Sequence, residues 1–213
     1  LKWLKRAGHP EVDRYIAVGS DADGNMLVTG AINATTTFDG QVITANGENR
    51  SDLLVARITK AGNVTLLQRY GDIFTEIGHA ITSDAKNNIY VAGAFDSVFT
   101  EDGNTFLGQG GLDAFAMKIR PDGTFDWFRP VGGPYDDEMR GIVIDKQNIP
   151  YVVGNFDTRL IIDDESQEGE RYTDFFVGSI ECGPNTALRP GVTEISICQG
   201  GDSAIVAPAG YPT

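Results

Sequence analysis

Short apolar runs separated by turn-forming residues dominate the chain up to about residue 180. Three of these runs end in a glycine: Met26–Gly30, Ile89–Gly93 and Pro150–Gly154. β-Branched and aromatic residues fill the runs, whereas Gly, Asn and Asp lie between them. No segment keeps apolar residues at the spacing of about 3.6 residues that is typical of a helix. The pattern therefore predicts an all-β chain with little helix.

The same landmarks recur in one phase, which indicates an internal repeat. The glycines that end the apolar runs, Gly30, Gly93 and Gly154, are separated by 63 and 61 residues. A later strand begins with aspartate in each unit, with spacings of 61 and 61, at Asp52, Asp113 and Asp174. A large apolar residue followed five positions later by glycine gives the pairs Trp3 and Gly8, Leu66 and Gly71, and Trp127 and Gly132. The landmarks predict three tandem units of about 61 residues.

Each unit has room for four short antiparallel strands joined by tight turns. The predicted units span about residues 3–65, 66–126 and 127–180. Asn and Gly at the turns accept positive φ at little cost, as hairpins require. The middle loops, near residues 33–51, 96–112 and 157–173, are long enough for an extra small hairpin.

Four-stranded units at this spacing are typical of β-propeller blades, because an isolated four-stranded sheet must cover both faces with its neighbours. Three blades are fewer than the roughly four to eight of a closed propeller. Trp3–Arg6 is predicted as the fourth strand of a unit whose first three strands are absent, and the last unit ends at its third strand. Two explanations stay open: the array continues in a longer chain, or other chains complete the ring.

The charge balance narrows the choice of partners. Asp and Glu outnumber Lys and Arg by 30 to 17, which gives a net charge of −13. Such a field repels nucleic-acid phosphates and anionic lipid headgroups, so we expect neither nucleic acid nor a membrane as partner. No apolar run approaches the length of about 18 residues needed to span a bilayer. The chain begins without methionine, and we interpret it as a processed or excerpted part of an exported protein.

Residues 3–180 resemble the bacterial β-propeller repeat family called SBBP. The resemblance is carried in the third unit by Val131–Asp145, Tyr151–Gly154 and Asp174–Val177, and in the second by Gly71–Asp84, Asn88–Gly93 and Asp113–Lys118. Ile197–Ser203 is similar to the opening of the immunoglobulin-like domains that follow such repeats in large exported surface proteins. The resemblance implies that residues 181–213 are a linker and a truncated Ig-like domain. It also implies extracellular display, with binding or scaffolding and no catalytic residues.

One turn resembles the start of a calcium loop. Asp21, Asp23 and Asn25 place three oxygen-bearing side chains at alternate positions, and calcium is the one cofactor for which the sequence offers a candidate site. The equivalent turns begin at Asp84 and Asp145 but carry lysine or glutamine within them. A hairpin turn is needed in all three units, so a structural role for the three residues is the favoured interpretation.

The other repeated residues are also interpreted as structural. A carboxylate at a strand entrance can accept main-chain N–H bonds from an adjacent turn, which predicts this role for Asp52, Asp113 and Asp174. Catalysis needs one asymmetric set of groups rather than one residue in three copies. Trp3 and Trp127 share a repeat phase, and this favours packing over stacking on sugars.

The remaining candidate residues are few. His9 and His79 lie in different repeat phases without a second ligand nearby, and both are predicted to be surface or loop residues. Cys182 and Cys198 could close a disulfide. By resemblance, Asp96-Ser97-Val98 and Asp202-Ser203-Ala204 are similar to an O-glycosylation signal of exported proteins, with Ser97 and Ser203 as acceptors.

These observations favour a non-enzymatic adhesion or structural module of a large secreted or cell-surface bacterial glycoprotein. Its expected partners are other domains or chains of a surface assembly, and glycans. Two alternatives remain: a propeller enzyme, lyase or hydrolase, acting on polysaccharide, and a self-assembling subunit that completes blades between chains. Fold alone does not support the enzyme.

Overall fold

The computed structural model describes residues 2–6, 13–46, 50–162, 165–182, 193–196 and 203–207. Within these ranges the chain forms β-strands and no helix, so the predicted all-β class is confirmed. The strands form three main antiparallel sheets and one separate hairpin. In the first and second sheets the strands follow one another in chain order from one edge, and the third sheet does so for its first three strands.

The first sheet has the spatial order β1, β2, β5, β6. These strands are β1 (Arg14–Ser20), β2 (Met26–Ile32), β5 (Asp52–Ile58) and β6 (Val64–Tyr70). Between β2 and β5, the strands β3 (Thr35–Phe38) and β4 (Gln41–Thr44) pair only with each other. They form the extra hairpin that was expected in the first middle loop.

The second and third sheets repeat the arrangement with longer central strands. The second consists of β7 (Glu76–Ser83), β8 (Ile89–Glu101), β9 (Asn104–Ile119) and β10 (Phe125–Val131). The third consists of β11 (Glu138–Ile144), β12 (Pro150–Ile162), β13 (Glu165–Cys182), β14 (Thr193–Ser196) and β15 (Ser203–Ala207), with β15 lying between β13 and β14. In both sheets the two central strands continue past the sheet as the extra hairpin expected in the middle loop.

The first two strands of each sheet are joined by the same turn. The amide of the first turn residue donates to the carbonyl four residues later, from Asp84 to Asn88 and from Asp145 to Ile149, at 3.1 Å in both cases. Asn87 and Asn148 both have φ of 64°, the left-handed region that asparagine tolerates well. The turn chemistry predicted from the sequence therefore sets the register of these hairpins.

The sheets stack face to face, and the apolar residues between them form the core. One cluster lies between the first and second sheets and includes Leu27, Leu53, Ile81, Val91 and Phe115. Another lies between the second and third sheets and includes Tyr90, Ala114, Met139, Ile142 and Val152. The first strands β1, β7 and β11 contact one another in sequence. Each sheet thus covers one face of the next.

A β-bulge recurs at one repeat position in the first strand of every sheet. The pairing register shifts between Tyr15 and Ala17, between Gly78 and Ala80, and between Met139 and Gly141. The bulged residues Ile16, His79 and Arg140 have the 63- and 61-residue spacing of the repeat. Their side chains are unrelated, so the conformation belongs to the fold rather than to one residue type.

Two details of the predicted array are wrong at its ends. Residues 2–6 form no strand. The last unit does not end at its third strand, since β15 pairs with the end of β13 at Ile180–Cys182. That β14 and β15 belong to an Ig-like domain remains a prediction.

Candidate functional site

Six acidic residues gather at one edge of the sheet stack, and together they are the most distinctive polar feature of the described chain. In an antiparallel sheet alternate strands run in the same direction, so the first and third strands start at the same end of the sheet. The acidic edge, as we call it, consists of residues at or just before the starts of first strands (Asp13, Glu76 and Asp137), Asp52 at the start of β5, and its repeat equivalents Asp113 and Asp174 inside the longer strands β9 and β13. Four of them, Asp52, Glu76, Asp113 and Asp137, are buried, with at most 1% exposure.

The repeated aspartates bind the residues that precede them. The prediction that each begins a strand is right for Asp52 but wrong for Asp113 and Asp174, because β9 and β13 extend back through the middle hairpin. Asp113 Oδ2 accepts hydrogen bonds from the amides of Gln109 at 3.0 Å and Gly110 at 3.4 Å. Asp52 Oδ2 accepts the amide of Asn46 at 2.9 Å and an Arg69 guanidinium N–H at 2.8 Å. These are the main-chain contacts expected of a structural carboxylate at a strand entrance.

Contacts with nearby glycines show that Asp174, the third copy of the repeated aspartate, occupies the same position as Asp113. A methyl group added to Gly108 would overlap the carboxylate of Asp113, and one added to Gly169 would overlap that of Asp174. The two glycines are 61 residues apart, as are the two aspartates. The loop therefore folds tightly over the acid in both units, and glycine is required there.

A second repeated acid precedes or begins each first strand and was missed by the sequence analysis. Asp137 Oδ2 accepts the Gly133 amide at 2.5 Å, and its Oδ1 accepts the Asp157 amide at 3.1 Å. Asp13 Oδ1 accepts the amide of Asn33 at 3.3 Å, again from a residue twenty positions later. The spacings of 63 and 61 between residues 13, 76 and 137 could have revealed the set. The change from aspartate to glutamate at the middle position obscured it.

Burial changes the acidity of these groups. It raises the pKa of Asp113 to about 6, against the opposing hydrogen bonds from Gln109 and Gly110. Burial likewise raises the pKa of Asp137 to about 7 and that of Glu76 to about 9. The charges of Asp52 and Asp72 raise the pKa of Glu76 further. The sheet stack therefore contains buried carboxyl groups with raised pKa values.

The glycine that follows each fourth strand makes room for these acids. A methyl group on Gly71 would overlap the carboxylate of Glu76, and one on Gly132 would overlap that of Asp113. These contacts explain why glycine recurs five positions after a large apolar residue in two of the three copies of that landmark. Gly8, the first copy, lies outside the described residues.

Strand glycines have an equally clear role. A methyl group on Gly93 would overlap the carbonyl oxygen of Ile77, and one on Gly154 would overlap that of Glu138. The rings of Phe115 and Phe176 lie against the two glycines in the same way. Gly30, the first copy, pairs with Leu54 at the equivalent point of the first sheet. Glycine at this position lets an aromatic ring pack directly on the backbone.

The calcium candidate lies in a turn in which Asp21 is buried and Asp23 is exposed, and the carboxylates of both have partners within the chain. Asp21 accepts the Asn25 amide at 2.8 Å and the Asn25 side-chain amide at 2.9 Å, and its Oδ2 lies 3.2 Å from the Arg57 guanidinium. Asp23 accepts the side-chain amide of Asn87, in the equivalent turn of the second sheet, at 2.8 Å. Over the described ranges, no group of three or more His, Cys, Asp or Glu side chains is arranged to hold a metal ion. Calcium binding by Asp21, Asp23 and Asn25 remains a prediction.

The tryptophans pack against neighbouring structure. Trp3 Nε1 donates to the carbonyl oxygen of Lys60 at 3.1 Å, and its ring lies on Gly62. Leu66, its repeat equivalent, lies on Gly123 in the matching turn. Trp127 meets the ring of Tyr90 edge-on, with centroids 6.1 Å apart. These contacts favour packing over sugar stacking.

The prediction that His79 is a surface or loop residue is wrong. It occupies the bulge of β7, its side chain is 8% exposed, and Nδ1 lies 3.5 Å from Glu138 Oε2 of the third sheet. Burial, together with the charge of Arg140, lowers the pKa of His79. Side chains along a regular strand alternate between its two faces, and a bulge interrupts that alternation. The sequence pattern did not reveal the bulge at His79. His9 lies outside the described residues.

The modification candidates are placed only in part. Ser97 has φ of 62° and donates a hydrogen bond to Asp96 Oδ1 at 2.6 Å. Ser203 begins β15 and Cys182 ends β13. Cys198 lies outside the described residues, so its disulfide with Cys182 remains a prediction, as does glycosylation at Ser97 and Ser203.

Comparison with known proteins adds no assignment. No protein-family model matches the chain, and no curated protein matches it. Among the described residues no helix is long and apolar enough to cross a membrane.

Proposed function

We propose that the three stacked sheets are consecutive blades of a β-propeller, and that the chain is a non-enzymatic structural and adhesive module of a large secreted or cell-surface protein. The observation that carries the proposal is the recurrence of similar contacts in successive sheets. The bulge, the turn, the buried acids and the glycine contacts all return at the repeat spacing. Such regularity is typical of a repeat scaffold.

The stacking itself supports the propeller interpretation. First strands lie next to first strands along the stack, and in every sheet the first four strands counted from that side are in chain order. Radial arrays of four-stranded sheets have this arrangement. The resemblance to SBBP repeats supports the same architecture and an extracellular setting.

The chemistry of the acidic edge favours scaffolding over catalysis. An acting glycosidase or lyase needs carboxyl groups that a sugar can reach. Asp113 and Asp137 have raised pKa values, as catalytic acids often do. They are at most 1% exposed, however, and bind main-chain amides of their own loops. Their raised pKa values therefore follow from structural burial.

The net charge supports display in an aqueous setting at the cell surface. A net charge of −13 favours solubility and disfavours nucleic acid as a ligand. The proposed partners are other domains or chains of a surface assembly, and neutral or cationic glycans. The middle hairpins, such as β3 and β4, offer exposed loops for such contacts.

The proposal is tested by locating the protein on its source cells. Antibodies raised against this chain should label intact cells, while an antibody against a cytoplasmic protein should label only permeabilised ones. Labelling of both antigens only after permeabilisation would overturn the surface role. Binding of the purified chain to a glycan array then tests adhesion directly. Incubation with the same polysaccharides, followed by measurement of new reducing ends, tests the enzyme alternative, for which we expect no product.

A further inference from the structure

Two repeat-equivalent pairs of acids lie where neighbouring sheets meet at the acidic edge. Asp52 and Glu76 form the pair between the first and second sheets, which we call the first joint. Asp113 and Asp137 form the pair between the second and third sheets, which we call the second joint. All four residues are at most 1% exposed. Besides burial, the charge of the aspartate raises the pKa of the other acid in each pair, so the two carboxyl groups of a joint interact.

The two joints differ in their counter-ions. In the first joint, Asp52 Oδ2 accepts a guanidinium N–H of Arg69 at 2.8 Å. The residue equivalent to Arg69 in the next unit, 61 positions later, is Pro130. Among the described residues no basic side chain forms an ion pair with Asp113 or Asp137. Ionisation of the second joint therefore places two uncompensated charges in a buried site, which costs free energy.

The groups around the second joint increase this cost. Burial is the main cause of the raised pKa of Asp113, and the charges of Asp96 and Asp136 add to it. Burial and the charges of Asp113 and Asp157 do the same for the pKa of Asp137. Basic side chains of neighbouring segments pair with other acids: Arg50 with Asp96 at 2.9 Å, Arg140 with Glu138, and Arg159 with Glu168 at 3.2 Å. The surroundings of the second joint therefore favour its neutral form.

Asp113 can take up a proton without losing its existing contacts. Its Oδ2 accepts both loop amides, from Gln109 and Gly110. Its Oδ1 is buried, lies against Gly132 and accepts no hydrogen bond from the described residues. A proton on Oδ1 leaves the two loop bonds intact, whereas a negative charge there has no donor to compensate it. The geometry thus favours a closed joint in which Asp113 is protonated.

We propose that the second joint is a latch that protons on Asp113 and Asp137 hold closed, so that acid closes it and neutral pH loosens it. The latch acts on the hydrogen bond from the Asp137 amide to the carbonyl oxygen of Leu112, which ties the third sheet to the second. When this contact opens, water reaches both carboxyl groups and they release their protons. Local opening of this kind leaves the rest of the stack folded. The inference depends neither on what the chain binds nor on the propeller interpretation.

The direction of the pH dependence follows from the difference between the closed and the open joint. Burial raises the pKa of Asp113 to about 6 and the pKa of Asp137 to about 7, both above the ordinary aspartate value of 3.8. The protons therefore stabilise the closed joint fully below about pH 4, and this stabilisation is lost as the pH rises to about 7. Burial raises the pKa of Glu76 to about 9, so the first joint continues to loosen above pH 7. The two joints thus stop responding at different pH values.

Amide hydrogen exchange of the full chain, resolved by NMR between about pH 4.5 and pH 8, tests the latch. The Asp137 amide reports on the second joint. The Glu76 amide, which donates to the carbonyl oxygen of Ser51, reports on the first joint. The Asp84 amide, bound to Asn88 in a turn at the opposite end of the second sheet, serves as the reference for opening elsewhere.

The opening constant at each amide is its exchange rate divided by the intrinsic rate of a free amide. At Asp137 it should rise at least about tenfold from pH 4.5 to pH 6.5, since each titrating carboxyl contributes up to about tenfold per pH unit. It should level off above about pH 7, while the opening constant at Glu76 continues to rise. A flat profile at Asp137, or an equal rise at Asp84, would overturn the inference.

Two substitutions test the assignment to these carboxyl groups. Asp113→Asn keeps an oxygen for the loop amides but has no titrating proton, so the rise at Asp137, on a logarithmic scale, should fall by about half. Pro130→Arg supplies the counter-ion that the first joint has, and it should flatten the profile at Asp137 by stabilising the ionised joint.

Asp102→Asn is the matched control, because Asp102 is exposed at the tip of the hairpin between β8 and β9. Its exchange profile at Asp137 should match that of the unmodified chain. Unchanged circular dichroism establishes that each variant folds. A folded Asp113→Asn variant that keeps the full pH dependence at Asp137 would contradict the inference, and Pro130→Arg decides the matter if Asp113→Asn does not fold.

Discussion

The main-chain amide of Asp137 donates a 2.6 Å hydrogen bond to the carbonyl oxygen of Leu112, and this bond joins the third sheet to the second. The amide of Glu76 makes the same 2.6 Å bond to the carbonyl oxygen of Ser51 one unit earlier. In both cases the acceptor directly precedes a repeated aspartate, Asp113 or Asp52. The acidic edge is thus also the place where neighbouring sheets are joined, and its carboxylates order the backbone that makes the joint.

Replacing Asp137 by alanine should destabilise the chain strongly. The carboxylate satisfies the amides of Gly133, in a buried bond, and of Asp157, in a half-buried one, and both amides would lose this partner. An unsatisfied buried donor costs about 1–3 kcal/mol, so we expect a loss of about 2 kcal/mol or more in the free energy of unfolding. Urea unfolding followed by fluorescence measures it.

Asp122→Ala is the control for that experiment. Asp122 also accepts a main-chain amide, from Thr124 at 3.0 Å, but in an exposed turn where water can replace it. Its removal should leave the urea midpoint nearly unchanged. Equal losses in the two variants would show that the buried carboxylate has no special structural role.

Glu76 should make the stability of the chain dependent on pH. Its folded-state pKa is raised from 4.5 to about 9 by burial, so the folded state keeps a proton that the unfolded state loses. The stabilisation is complete below pH 4.5 and is lost as the pH rises toward 9, at up to about 1.4 kcal/mol per pH unit. Glu76→Gln carries no titrating proton, so its stability relative to the unmodified chain should increase from pH 5 to pH 8.

Denaturant unfolding of both proteins at pH 5 and pH 8 measures that difference. Glu168→Gln serves as the control, since the Glu168 side chain is 68% exposed and its replacement should give no pH-dependent difference. Asp113 and Asp137 titrate in both backgrounds, so their contributions cancel in the comparison. A difference between Glu76→Gln and the unmodified chain that stays constant across this range would contradict the assignment.

Gly93→Ala tests the close approach of backbone and aromatic ring. The added methyl group would overlap the carbonyl oxygen of Ile77 and press on Phe115, and overpacking of this kind costs about 1–3 kcal/mol. Gly103→Ala is the matched control, because Gly103 has φ of 75° but has no atom within 4 Å of the added carbon. It should lose only the strain of a left-handed alanine, about 1 kcal/mol. Thermal unfolding that ranks the two variants in the reverse order would contradict this account.

The sequence predicts the repeat well because the repeat is a property of backbone contacts. Gly93 and Gly154 must be glycine where a ring meets the chain, and Asp113 must accept the loop amides, so these landmarks are visible without a structure. The acids at positions 13, 76 and 137 are less visible, since Glu76 is longer and its oxygens do not make the bonds that Asp137 makes. His79 was misplaced because a bulge interrupts the alternation on which the prediction depended.

Calcium should not stabilise the chain through the turn at Asp21. The Arg57 guanidinium lies 3.2 Å from Asp21 Oδ2 and would repel a cation there, while Asn25 takes up both carboxylate oxygens. A metal ion would have to displace these partners before it could bind. Thermal midpoints measured with calcium, with magnesium and with a chelator should therefore coincide. A rise specific to calcium that disappears in Asp23→Asn would instead establish the turn as a metal site and show that Arg57 moves away to admit the ion.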